Sequence, residues 1–173
     1  MSGVNLLKPK RLTIIPMLIA AGSVVFIFES MIPAPLPWAK LGLSNIVVLL
    51  AVYYYGLIES VTVSWLRIVI GGLFTGSLFS PAFALGFCGG TLAVLSMWSA
   101  RKLFGDRFSA VGISIIGAVF HNIGQLAAAH FLLIKHSSIW NFLPVMIIGS
   151  LFTGGGVGFI ACLILERIRL NAK

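Results

Sequence analysis

The side chains able to do chemistry are few and stand in apolar surroundings. The chain has 173 residues and only four acidic ones. One of these, Glu29, falls near the end of the first long apolar run. Arg67 lies about ten residues into another apolar run, close to half the depth of a ~30 Å hydrocarbon core at ~1.5 Å per residue. An arginine there costs ~2.5–3.5 kcal/mol on insertion scales. It must therefore face the interior of a bundle and have a partner, and Glu29 is the carboxylate within reach. Asn45 enters a third apolar segment. His121, Asn122 and Gln125 stand together on a further one, with His121 and Gln125 at i, i+4 and Asn122 and Gln125 at i, i+3. Convergence of Asn45, Arg67 and the His121/Asn122/Gln125 arc in one half of the bundle makes a pocket for a polar ligand. Glu29 and Lys40 would stand at its rim. An arginine in low dielectric favours an anionic or carbonyl-bearing ligand. The structural alternative is that the same groups serve as an Arg67–Glu29 pair and as interhelical hydrogen bonds.

The stretch from Glu29 to Asn45, ESMIPAPLPWAKLGLSN, ties these groups together. Pro33, Pro35 and Pro37 alternate there, so the backbone is extended rather than helical. A stiff bridge of this kind, flanked by apolar helices, is expected to cap the mouth of the pocket.

The elements that position these groups follow from composition. Hydrophobic residues make up 59% of the chain and charged residues 9%, against roughly 25% charged in soluble domains. This is the composition of an all-α, polytopic integral membrane protein. The apolar runs predict a single domain of six transmembrane helices over residues 12–32, 39–56, 57–76, 79–100, 108–134 and 142–165. The first run is long and no small-residue cleavage site follows it, so it reads as a span and not as a signal peptide. Of the 12 basic residues, nine fall on the side that six spans give to both termini: Lys8, Lys10, Arg11, Arg101, Lys102, Arg107, Arg167, Arg169 and Lys173. Lys40 and Lys135 fall on the other side, and Arg67 lies within a span. The positive-inside rule then makes both termini cytoplasmic and explains a net charge of +8 without nucleic acid. Glycine pairs four apart, Gly72/Gly76, Gly86/Gly90 and Gly154/Gly158, predict close packing inside the bundle.

Several function classes are excluded by what is missing from the sequence. No GxxxxGK[ST] run is present, so the chain supplies no P-loop for ATP. Prenyl diphosphate chemistry needs several carboxylates to hold Mg²⁺ against a diphosphate, and the chain has a single aspartate, Asp106. Cys88 and Cys162 sit in apolar runs with no CxxC or His/Cys cluster, which speaks against a structural zinc, an attached haem or a disulfide framework. The chain is expected to hold no metal or cofactor of its own and not to be an enzyme.

The runs PLPWAKLGLSNIVVLLAVYYYG, WLRIVIGGLFTG, GFCGGTLAVLSMW and HNIGQ resemble a family of small membrane proteins. It is known as the Gx transporter family or as heptaprenyl diphosphate synthase component I. The resemblance covers nearly the whole chain, with PWAKLGLSN its most specific part. That family is in turn similar to the substrate-binding S-components of energy-coupling factor (ECF) transporters. The resemblance implies a six-helix bundle binding a small vitamin-like solute beneath the loop joining the first two helices. ATP would act only through two partner ATPases, coupled by a membrane scaffold subunit. S-components dock through an Ala-x-x-x-Ala pattern on the first helix; here Ala20, Ala21 and Ser23 form the small-residue cluster, with Val24 and Val25 four residues after the alanines. The same resemblance implies two other roles. One is a quinone-handling membrane subunit with a redox partner in flavin-based extracellular electron transfer. The other is a non-catalytic accessory subunit of heptaprenyl diphosphate synthase, which makes the menaquinone side chain.

Overall fold

A computed structural model describes residues 7–32 and 42–171 of the chain. The Pro33–Pro37 bridge and Lys40 lie outside the described residues. Within them the protein is all-helical: α1 (Leu7–Met31), α2 (Asn45–Tyr54), α3 (Leu57–Phe74), α4 (Pro81–Phe104), α5 (Ala110–Ala129) and α6 (Leu143–Asn171). A single π-helical turn, His130–Ile134, prolongs α5, and a short 3₁₀ segment, Ser137–Phe142, leads into α6. Five of the helices are long and apolar enough to cross a membrane. Their outward faces carry large apolar side chains such as Phe28, Ile58, Phe74 and Phe152, as a bundle in lipid requires.

The exception in length is α2. It has ten residues, a rise of only ~15 Å. Yet it is the centre of the fold: Val47 to Val52 are all buried, in contact with α1, α3, α4 and α6. The second predicted span, 39–56, is thus helical in its described part only from Asn45. The chain before it turns at Gly42, whose φ of +75° favours glycine. Gly42 O and Leu43 O then accept the N–H groups of Asn45 and Ile46. At the far end a tight turn leads straight into α3, where the Glu59 carboxylate accepts the Gly56 N–H at 3.0 Å. The Arg101 guanidinium lies 4.5 Å over the Tyr53 ring at this same end of the bundle.

The glycines set how closely helices approach. A Cβ on Gly158 would lie 2.5 Å from Val111 Cα, and one on Gly154 would lie 2.9 Å from Ile115 Cα, so this pair lets α6 lie backbone-to-backbone on α5. The other two predicted pairs divide their roles. Gly90 packs against Ile68 and Gly72 against Phe83, but Gly86 faces open space and Gly76 makes the α3–α4 turn with φ +69°. Between α4 and α5 the backbones approach closely at Gly89 and Gly124: a Cβ on Gly124 would sit 2.9 Å from Gly89 Cα and 3.0 Å from Cys88 O.

Candidate functional site

The site grows from the start of α2. A helix beginning inside a bundle leaves its first backbone N–H groups without intrahelical acceptors. Gly42 O and Leu43 O take those of Asn45 and Ile46, and the carboxylate of Glu29, in the last turns of α1, takes the two just before the helix, the Leu43 N–H at 2.8 Å and the Ser44 N–H at 3.2 Å. A negative charge is also favoured there by the helix dipole. Arg67 reaches the same point from α3. Its Nη1 donates to Ser44 Oγ and its Nη2 donates to Asn45 Oδ1 at 2.5 Å. Both charged side chains are almost fully buried, Glu29 at 7% and Arg67 at 2% exposure.

The expected direct Arg67–Glu29 pair is therefore a relay through Ser44. Its N–H goes to the carboxylate and its hydroxyl oxygen to the guanidinium. From Leu57 to Arg67 is ten residues along α3, and α2 is also ten residues long, so Arg67 and the start of α2 meet at one depth. Gly22 makes the approach of α1 possible: a Cβ there would lie 2.6 Å from Val47 Cγ2 and 3.2 Å from Arg67 Cδ.

Above this relay a cavity of about 500 Å³ is lined by Glu29, Ser44, Asn45, Arg67, His121 and Gln125, with Thr75 and Ser77 of the α3–α4 turn and the rings of Phe26 and Phe83. Cavities of this size suit small molecules. Gln125 is 6% exposed, and its Nε2 lies 3.1 Å from His121 Nε2. Arg67 Nε and Gln125 Oε1, on two of the lining residues, are buried without a hydrogen-bond partner. Each costs free energy as it stands.

Five of the seven ligand-binding residues expected from the sequence, Glu29, Asn45, Arg67, His121 and Gln125, thus line one cavity. Lys40 lies outside the described residues. Asn122 is turned elsewhere: its Nδ2 donates to Met146 O at 3.0 Å and to Ser150 Oγ at 2.8 Å, tying α5 to α6. Consecutive helical residues diverge by ~100°, so Asn122 leaves the face that His121 and Gln125 share. Asn122→Ala is expected to cost about 1 kcal/mol of stability, read as a lower thermal midpoint in detergent, with ligand binding unchanged. A loss of binding at an unaltered midpoint would place Asn122 in the site instead. On α1, Ala20 and Ala21 are exposed, whereas Ser23 is buried and donates to Ile19 O at 2.8 Å. Only the two alanines of that cluster are presented outward.

Ser44, Thr75, Ser77, Phe26 and Phe83 are additions from the structure. Ser44 had a signal, its place beside Asn45 at the head of an apolar run; the two rings had none, since phenylalanine is common throughout the chain. Among the described residues, no group of three or more His, Cys, Asp or Glu could hold a metal ion.

Comparison with curated proteins and with solved structures finds no significant match. A family model does match, over residues 18–164, from the middle of α1 to near the end of α6, and includes every lining residue named above. By that match, the chain belongs to the heptaprenyl diphosphate synthase component I family.

Proposed function

We propose that this protein is the solute-binding membrane component of an ECF-like transporter. A small solute enters from the outer face of a bacterial cell membrane and binds in the cavity between α1, α3, α4 and α5. Both termini are cytoplasmic, and energy comes from separate scaffold and ATPase chains. The chain itself is neither an ATPase nor a catalyst. The observation that carries the reading is the cavity of about 500 Å³, into which costly polar groups from α1, α2, α3 and α5 are gathered. Structural hydrogen bonding alone would not call for an open volume beside Arg67 and Gln125.

Native mass spectrometry of the purified protein tests this. A small molecule is expected to co-purify and to be absent from Gly86→Leu, which fills the open space beside Gly86 in the cavity wall. In liposomes the protein alone should bind that molecule without ATP-driven accumulation. Concentrative, ATP-dependent uptake by this chain alone would overturn the assignment. Labelling of a cysteine at Ser2 by an impermeant reagent on intact cells, in a background lacking Cys88 and Cys162, would overturn the orientation.

The family match favours a second reading: a non-catalytic membrane partner of a prenyl diphosphate synthase subunit. In that case heptaprenyl diphosphate formation by the catalytic subunit should depend on this chain. Undiminished synthesis in its absence would remove this reading.

A further inference from the structure

The two ends of an asparagine amide have nearly the same shape, but at the start of α2 chemistry settles which end is which. A guanidinium only donates. The Asn45 atom that receives Arg67 Nη2 at 2.5 Å is therefore the amide oxygen, and the NH₂ group takes the other end. That end is uncommitted: Nδ2 makes no hydrogen bond among the described residues. Nor is it sealed off, as Arg67 Nε and Gln125 Oε1 are. Asn45 is half-buried and lines the cavity. Gly42, also in the lining, leaves the amide uncovered, since even a Cβ there would stand 3.4 Å from Nδ2.

The amide is held in this sense. Turning it over would set NH₂ against the guanidinium, donor to donor, in low-dielectric surroundings where an unmade hydrogen bond is costly. The backbone beneath is fixed as well, for Asn45 opens α2 and its own N–H goes to Gly42 O at 2.9 Å. Arg67 is only 2% exposed, so what the cavity meets at this corner is the amide. The charge behind it serves an anionic acceptor as well as a neutral one. The lining also offers flat apolar surface. Phe26 of α1 packs on Gly71 and Phe83 of α4 on Gly72, where a Cβ would clash or crowd, and both rings line the cavity. Phe83 in turn stacks on Phe87, with ring centroids 5.9 Å apart.

We propose that Asn45 Nδ2 is the donor by which the cavity recognises its ligand, and that the ligand presents an acceptor oxygen there, of a carbonyl or a carboxylate, on an aromatic ring. This rests on the solute-binding reading above and deepens it.

The test uses the purified full chain in nanodiscs at pH 8, with empty nanodiscs as the blank and binding read by ligand-observed NMR. The probes are 1-indanone (bicyclic, one carbonyl, no donor), indole (the same ring size, one N–H donor, no oxygen) and 1-naphthoate (a bicyclic carboxylate). On the parent protein, indanone or naphthoate is expected to bind at least tenfold more tightly than indole, the difference that one hydrogen bond makes. The tighter of the two identifies the kind of oxygen. Asn45→Asp keeps one oxygen toward Arg67 and puts a second where NH₂ stood. It is expected to weaken both acceptor probes at least tenfold, with indole unchanged or tighter. The parent's preference decides by itself should that variant not fold. Gly86→Leu is expected to lose all binding, with a circular dichroism spectrum that matches the parent, since nothing lies within 4 Å of a Cβ at Gly86. Indole binding as tightly as the better acceptor probe, or neither acceptor probe binding, would overturn recognition by Asn45. So would acceptor binding that is indifferent to Asn45→Asp but lost in Gly86→Leu, a result that leaves the pocket standing. Acceptor binding indifferent to Gly86→Leu would instead overturn the cavity as the site.

Discussion

Arg67→Met is expected to lose about 3–5 kcal/mol of stability, the usual consequence of removing one partner from a buried charge pair. The thermal midpoint in detergent should fall by roughly 10 °C. The size of the effect follows from how much hangs on one guanidinium. It holds Ser44 and Asn45 at the start of α2, and its positive charge acts on the buried Glu29 carboxylate. The companion variant separates these contributions. In Arg67→Met with Glu29→Gln the carboxylate is no longer stranded, so the double variant should melt above Arg67→Met alone, a non-additive result typical of groups that share a partner. Arg67→Met melting within a degree or two of the parent would refute the account of the relay. Simple addition of the two single effects would show that the charges do not act together.

The second large effect belongs to packing. Gly158→Ala places a methyl 2.5 Å from Val111 Cα, 2.9 Å from Ser114 Cβ and 3.2 Å from Ala110 O, so the nearest obstacle is backbone rather than a side chain that could turn away. Overpacking of this kind costs about 1–3 kcal/mol, occasionally more, and Gly158→Leu is expected to yield no folded protein. Gly156, two residues earlier, is the control. Nothing lies within 4 Å of a Cβ there, and alanine is the better helix former by about 0.5–1 kcal/mol. Gly156→Ala should therefore melt at or above the parent. Equal midpoints for Gly158→Ala and Gly156→Ala would mean that α5 and α6 are not in backbone contact.

The long helices were legible because apolar runs of ~20 residues have few other uses. Arg67 and Glu29 were legible for the converse reason, that a charge inside such a run must be accounted for. What joins them was not. Ser44 became the relay because α2 starts at Asn45, and that start depends on Gly42 adopting φ +75°, one glycine among 19. The Gly89–Gly124 contact was equally hidden, since spacing rules compare residues along one helix and this pair meets across two. Asn122 shows the limit of grouping by nearness in sequence: a neighbour of His121 in the chain, it serves a different interface. The unpartnered oxygen of Gln125 depends on the facing His121 ring and could not be read from residue types.

The brevity of α2 bears on how the protein is made. A segment of ten residues is half what a membrane-spanning helix ordinarily needs to partition into lipid during synthesis, and α3 carries an arginine that penalises its own partitioning by ~2.5–3.5 kcal/mol. Neither is a good stop on its own. Together they are compensating halves: α3 is long enough, and α2 brings the Ser44 and Asn45 oxygens that receive its arginine. With only the short Tyr55–Gly56 turn between them, the two helices are expected to enter the bilayer together as one hairpin, since the Ser44 and Asn45 oxygens then offset the cost of Arg67.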